Sequence, residues 1–394
     1  MPLPPWSQRL KNAATVFLLQ KCLIWPVETI QSIRVDVLGF GPAETKPDLI
    51  KTFPGRKGLP VRIFIPSSVK SQAAGSQPEE VKVPLTFTIH GGGFVIGSPA
   101  DNDAWNRRFS DKHSHLVIAL NYRKGPDSPF PNPVDDLEAL ALAGLSAPAS
   151  ELGLPSHVKV DLSRISVIGW SAGGNLSLAL SHRLSTSPST SAKLSELGAT
   201  ISSVVPIYPV VDFTIPTEAK LKLRQYKPLL GGFRGKPTDF LAGMAPIFDW
   251  AYIPANENLT KPELSPYFAE KDTLPKNLFM VACELDMLGH EAWRFANKFA
   301  GRTIPGLEER IGREEIGDWG KAVVEGDERF GWEVTDDGEN RRVKWLLVPD
   351  TVHGFDQDLT VMVGGDKEVL EDAKLKTEEL IGVIGGWLEE GWRK

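Results

Sequence analysis

The chain is 394 residues long, 41% apolar and 24% charged, which excludes a disordered or fibrous protein and suits one large α/β domain carrying an insertion or lid. Its formal net charge of −6 gives no overall attraction to phosphates, arguing against nucleic acid or an anionic membrane as partner. Cys22 and Cys283 are too few and too far apart for a disulfide framework, so a reducing, cytoplasmic setting is the default; among the histidines only His113 and His115 approach a metal pair, and no metal is expected.

Residues 6–33 read as an amphipathic helix that packs on the protein. Ala13 to Leu19 is apolar, but Gln20 and Lys21 interrupt it, and no run reaches the ~18 apolar residues of a membrane span, so no stable membrane anchor is expected. Arg34–Phe40 and Leu59–Ile65 alternate like half-exposed antiparallel strands, and Pro66–Val81 reads as an exposed loop. Pro84–Ile89 is a short apolar strand delivering His90-Gly91-Gly92-Gly93-Phe94; Leu116–Leu120 is another, ending in Asn121-Tyr122-Arg123. A helix is expected around Val134–Leu145. The β-branched run Ile165–Ile168 then enters Gly169-Trp170-Ser171-Ala172-Gly173-Gly174-Asn175, and leucines and alanines at helical spacing continue to Arg183.

Ser185–Ser195 reads as a Ser/Thr-rich loop before a strand at Ile201–Val205. Residues 212–265 break the rhythm, with prolines, scattered aromatics and no clean strand. Leu278–Cys283 restores a strand with Glu284-Leu285-Asp286 at its end, and a helix follows over Gly289–Ala300. Gly301–Arg342 is a second irregular stretch, charged and glycine-dotted. Val343–Val348 is the last clear strand, His353-Gly354-Phe355 follows it, and Lys367–Leu388 closes the chain as a helix. Strands alternating with helices, polar residues at the strands' carboxyl ends, describe an α/β fold with a mostly parallel central sheet and helices on both faces.

Gly-x-Ser-x-Gly alone is a cheap pattern, but between a strand and a helix it describes a nucleophile elbow. Its glycines allow an approach too close for a Cβ, and its serine is forced into a strained conformation with the hydroxyl exposed. Such a hydroxyl attacks only when a base removes its proton, and that base is usually a histidine oriented by a carboxylate. Asp286 and His353 lie just past successive strands, in the order serine, acid, histidine, so all three side chains can reach one sheet edge with Ser171. His290, His182 and Asp350 are weaker rivals: one falls on the helix after Asp286, one lies two turns down the elbow helix, one is too near His353 in sequence. The glycine loop after His90 and the N–H of Ala172 supply donors for an oxyanion.

The glycine loop, Asn121-Tyr122-Arg123, the elbow, Glu284-Leu285-Asp286-Met287-Leu288 and His353-Gly354-Phe355, in this order over about residues 84–388, resemble the hormone-sensitive-lipase-like branch of the α/β-hydrolase fold. The resemblance implies a catalytic core at 46–211 and 266–394 and a helical cap from 1–45 and 212–265, with 301–342 as a charged insertion within the core. It implies a carboxylesterase acting on a small-molecule ester without cofactor, with Ser171, Asp286 and His353 as triad and the Gly92, Gly93 and Ala172 amides as oxyanion hole. His90 is expected to brace the glycine loop and Asn175 to support the elbow. Three departures stand out: Trp170 where the family usually has Asp or Thr, Pro126-Asp127 where Ala-Pro-Glu is common, and the length of 301–342. Trp170 is either packing or a pocket wall.

Nine aromatics lie between Asp212 and Phe268, where 9% of 57 residues would give about five, which points to an apolar pocket roof and a largely apolar, small to medium substrate. The same triad would serve an amide or N-acyl hydrolase. A ligand-binding receptor on this fold would lack the histidine, which is present here, and a lipase working at a lipid interface is the third alternative.

Overall fold

In a computed structural model that describes residues 4–34, 45–70, 80–357 and 367–393, the apolar runs form a sheet and the periodic ones cover it. Helix α1 (Trp6–Phe17) continues through a π-helical stretch, Leu18–Ile24, into α2 (Trp25–Ser32). Then come β1 (Leu49–Lys51), β2 (Val61–Phe64), the one-turn α3 (Ser67–Lys70), β3 (Val81–Ile89), α4 (Asp103–His113), β4 (Leu116–Leu120) and α5 (Asn132–Ser146). The middle of the chain forms β5 (Val158–Trp170), α6 (Ala172–Thr186), α7 (Pro188–Leu197), β6 (Ile201–Ile207), α8 (Thr217–Leu223) and α9 (Phe240–Tyr252). The last elements are β7 (Asn277–Cys283), α10 (Gly289–Phe299), β8 (Gly331–Asp336), β9 (Arg341–Val348) and α11 (Lys367–Trp392).

Nine strands make one sheet in the order β1-β2-β4-β3-β5-β6-β7-β9-β8. The run from β4 to β9 is parallel, while β1 and β2 at one edge and β8 at the other are antiparallel. Side chains alternate between the faces, as the strand period requires. In β4, Leu116, Ile118 and Leu120 join the layer under α5, α6 and α10, whereas Val117 and Ala119 join the layer under α4 and α11. Burial on both faces explains why β4 reads as an unbroken apolar run, and it encloses the polar Thr86, Thr88, Ser166 and Ser203 of β3, β5 and β6 as well. This is the doubly covered, mostly parallel sheet expected of the sequence, and its strand ends carry the elbow, the acid and the histidine to one edge.

Four readings need correction or fall aside. The strand expected at Arg34–Phe40 lies outside the described residues except for Arg34, which is helical. The Ser/Thr-rich stretch is helix α7, opened by Pro188 in its first turn, closed by left-handed Gly198, and held by buried Thr190 and Leu194. The 301–342 stretch, expected to be irregular, contains the edge strand β8: Trp332 and Val334 alternate with Glu333 and Thr335, but the run is six residues long, set in charged and glycine-dotted sequence, and pairs with β9 alone. The N-terminal helix does not pack along its length. Asn12 and Val16 are buried, but Trp6, Leu10, Phe17, Leu18, Leu23, Trp25, Val27, Ile30 and Ile33 are exposed, nine of the sixteen large exposed apolar side chains among the described residues. Their spacing runs around the helix instead of along one stripe, so one face against the body cannot cover them.

Phe87 is fully buried in β3, its ring meeting α5 at Gly144. Phe87→Ala should lower unfolding stability by about 3–5 kcal/mol, read from the denaturant midpoint.

Candidate active site

Ser171 joins β5 to α6 with φ at +54°, a left-handed backbone that a non-glycine residue holds only when its surroundings enforce it. The enforcement is steric. A Cβ on Gly169 would lie 2.0 Å from the Gly173 carbonyl oxygen, and one on Gly173 would lie 2.1 Å from that of Ile89, so only glycine fits either place. The Ser171 amide donates to the Ile207 carbonyl at 2.9 Å, tying the turn to the end of β6.

The loops after β7 and β9 run side by side, with the Leu285 amide donating to the Thr351 carbonyl at 2.9 Å. From them Asp286 and His353 meet. His353 Nδ1 lies 2.7 Å from Asp286 Oδ2, and Nε2 lies 2.7 Å from Ser171 Oγ. The geometry suits an Nδ1–H donating to the carboxylate and a free Nε2 accepting from the hydroxyl. Asp286 Oδ1 accepts from the Leu288 amide at 2.9 Å, which fixes the carboxylate plane. Burial alone would lower the His353 pKa, but the Asp286 charge and hydrogen bond, with Asp239 and Asp356 behind them, leave it raised above its ordinary value. The three residues expected to act together are therefore in one hydrogen-bonded line. The rivals are elsewhere: His290 Nε2 faces the Gly306 carbonyl at 3.1 Å, His182 lies on α6, and Asp350 is paired with Lys227.

The glycine loop lies against the elbow, a Cβ on Gly91 falling 3.3 Å from that of Ser171. Gly92 and Gly93 have φ of +102° and +58°; a Cβ on Gly93 would lie 2.2 Å from the Phe248 ring, so α9 rests directly on the loop. Tyr122 donates its hydroxyl to the Gly91 carbonyl at 3.0 Å, and the buried His90 ring stacks on Tyr122 at 4.5 Å between centroids. His90 Nδ1 is 2.8 Å from the Gly91 carbonyl, and Lys124 Nζ is 3.1 Å from its Nε2. Burial first and the Lys124 cation second hold the His90 pKa well below its ordinary value, so the ring is neutral. Its contacts are with the loop. Asn175 Nδ2 donates to the Val210 and Leu264 carbonyls, both at 2.9 Å, so the elbow helix grips the two ends of the irregular stretch 212–265.

Trp170 is buried in the layer under α4 and α11. Its Nε1–H donates to Asp356 Oδ2 at 2.9 Å, the Tyr208 hydroxyl bonds the other oxygen of the same carboxylate, and the indole meets Trp105 edge-on at 4.9 Å. Tyr208 in turn lies 4.7 Å from the His353 ring. Elbow, β6 and histidine loop are thus tied through one carboxylate three residues past His353, a link that the spacing alone does not reveal.

A second buried tie had no sequence signal either. Lys227 donates to Glu284 Oε2 at 2.8 Å, to Asp350 Oδ1 at 2.5 Å and to the Glu315 carbonyl at 2.7 Å. Glu284 also accepts from the Asp350 and Arg313 amides at 2.8 and 2.9 Å. One ammonium from the 212–265 stretch therefore joins the acid loop, the histidine loop and the 301–342 stretch. Among the described residues no group of three or more His, Cys, Asp or Glu is placed to hold a metal ion. His113 faces Glu389, and His115 faces Thr86.

Trp170→Phe removes one donor from a buried carboxylate. It should cost about 1.5–3 kcal/mol of stability and leave ester chain-length preference unchanged, measured by denaturation and by a graded ester panel. Trp170→Asp, which sets a second carboxylate against Asp356, should cost more. Lys227→Met leaves Glu284 and Asp350 buried without their cation and should lower stability by about 3–5 kcal/mol in chemical denaturation.

The comparisons with known proteins bear on the same edge of the sheet. A Schizosaccharomyces pombe "AB hydrolase superfamily protein" is 29% identical over 259 residues, covering 64% of this chain and 65% of its own length, which is less than two thirds. An arylesterase of Saccharolobus solfataricus is 27% identical over 255 residues, covering 64% of this chain and 70% of its own. The solved hyperthermophilic esterase of Pyrobaculum calidifontis superposes with a TM-score of 0.56 over 99% of both chains at 20% identity, a likeness of fold. A family model described as alpha/beta hydrolase fold matches residues 86–304, more than half of the chain and the span from the glycine loop through the acid, and the chain belongs to that family.

Proposed function

We propose that this chain is a serine hydrolase of carboxylic esters, and the observation that carries the reading is the Ser171–His353–Asp286 line, with 2.7 Å at each contact, beside a glycine loop. Ser171 Oγ attacks the ester carbonyl while His353 Nε2 takes its proton. The amides of Gly92, Gly93 and Ala172 receive the oxyanion. His353 then gives the proton to the leaving alcohol, an acyl group stays on Ser171 Oγ, and a water deprotonated by His353 releases the acid and restores the serine. Asp286 holds the ring and balances its charge. No metal or organic cofactor enters these steps.

The segments 1–45 and 212–265 form the cap over a core of 46–211 and 266–394 in this reading, with 301–342 inserted in the core. Support comes from Phe248 against Gly93 and from Phe240, whose ring lies 6.2 Å from that of His353. An apolar roof favours small to medium apolar acyl or aryl groups, and the likeness to an arylesterase points the same way. The parts would also cleave amides; the leaving group decides. With free Cys22 and Cys283 and a net charge of −6, a reducing cytoplasm and a small-molecule partner rather than nucleic acid are the consistent setting.

A second reading, an esterase working at a lipid interface, is favoured by one observation: the apolar side chains exposed along the N-terminal helix. No helix among the described residues is long and apolar enough to cross a membrane. Turnover of an emulsified long-chain ester well above that of a soluble short-chain one would select this reading; the reverse order selects the first.

Ser171→Ala should lower kcat/KM for p-nitrophenyl esters by at least about 10³-fold with the fold intact. Catalysis needs His353 unprotonated, and its pKa is raised from 6.5, so kcat/KM should fall on acidification with a midpoint above that value. A midpoint below it would mean that the neighbouring carboxylates do not act on the histidine.

A further inference from the structure

The 212–265 stretch reaches past the pocket roof to the acid itself. Arg224, just after α8, and Asp239, capping α9, form an ion pair of 2.9 Å whose side chains are 1% and 2% exposed. Arg224 Nε also donates to the Leu285 carbonyl at 2.9 Å, and its two terminal nitrogens donate to the Phe233 and Lys236 carbonyls at 2.7 Å each. Asp239 Oδ2 accepts from the Met287 amide at 3.1 Å, and Oδ1 from the Leu241 amide at 2.9 Å. Leu285 and Met287 are the neighbours of Asp286 on either side.

Such a pair does not explain itself by stability. Two charges withdrawn from water seldom gain over an apolar packing of the same volume. A cation and an anion that each spend a hydrogen bond on the backbone flanking one carboxylate do gain something else, a fixed position for that carboxylate. We propose that Arg224 and Asp239 are positioning residues for the acid–base pair: they hold Asp286 from both sides, and Asp239 adds an outer negative charge to the field in which His353 works. The inference rests on the reading of Ser171 as nucleophile and His353 as its base.

The partners of Asp239 all donate to it, namely one guanidinium and two amides, which suits the ionised carboxylate. The charged groups facing His353 are Asp286 from the loop after β7, Asp239 from the start of α9 and Asp356 from its own loop, with Arg224 set against Asp239. The Lys227, Glu284 and Asp350 cluster adjoins the same two loops. Removing the Asp239 charge makes the imidazolium less favourable, so the neutral base persists to lower pH. A residue that merely glued the roof to the core would change the amount of active protein without moving that midpoint.

The test is the second-order rate at which a fluorophosphonate labels Ser171 in the full chain, followed against pH, because it reports nucleophile and base without needing the natural substrate. The native rate should rise with pH through one ionisation. Asp239→Asn should move the midpoint down by about half a unit or more and lower the plateau about tenfold. Arg224→Lys keeps the cation but cannot reach the three carbonyls together, so its plateau should fall about fivefold or more with the midpoint in place. A native midpoint in Asp239→Asn overturns the proposal. If that variant does not fold, Arg224→Lys decides: a plateau within about twofold of native overturns the proposal, and the larger fall supports it. Normal labelling without ester turnover would reject the ester reading alone, whereas a native chain that takes no label rejects the nucleophile and this inference with it.

Discussion

Backbone pressed against backbone at the elbow decides where Ser171 and the glycine loop can stand. Gly169 meets Gly173, Gly173 meets Ile89, and Gly91 meets Trp170 and Ser171, at separations that leave no room for a Cβ at the first two. Strand end, helix start and glycine loop are consequently one rigid knot, and Ser171 is held at a left-handed φ that it would not choose alone. Strain of that kind costs of order 1–3 kcal/mol and survives only because the sheet on both sides over-determines it. The parallel register of β3, β5 and β6 supplies that determination: Ile89 pairs with Gly169, and Trp170 with Ile207.

The remaining two members of the line come from loops, and loops need outside support to be exact. Here the support is buried and polar. Asp356 gathers Trp170 and Tyr208 around the histidine loop, Lys227 gathers Glu284 and Asp350, and the 301–342 stretch contributes the Arg313 and Gly317 amides and the Glu315 carbonyl. A charged, glycine-dotted segment therefore supplies three backbone groups to the loops that carry Asp286 and His353, and buries Ile311, Ala322 and Phe330 while doing so. In a low-dielectric interior such networks fix geometry so long as each member is satisfied, and they fail when one member is removed.

Much of this was legible in the residues. The alternation of apolar runs with helical periods located the parallel sheet and its covering helices, and strand–turn–helix context singled out Ser171 from the chain's other serines. The order of Asp286 and His353 after strands indicated that they could share an edge with it. What escaped is what pairwise, long-range contact decides. Strand β8 exists only through its hydrogen bonds to β9, α7 hides behind a serine-rich composition, and no local pattern announces that Lys227, more than 50 residues from Glu284, will pair with it. Trp170 shows the same limit at one position. Its identity could be read as a departure from the family, but only the fold reveals that its indole bonds the histidine loop. The N-terminal helix differs in the opposite direction: its helicity was readable, but not that only Asn12 and Val16 of it are buried among the described residues.

In the proposed reaction Ser171 carries the acyl group between attack and release. Rapid mixing of the chain with a p-nitrophenyl ester, acid quenching and peptide mass analysis examine it directly. The expected result is a p-nitrophenol burst of one equivalent per chain and an acyl adduct on the peptide containing Ser171. Turnover with no burst and no adduct, or an adduct on another residue, would contradict it.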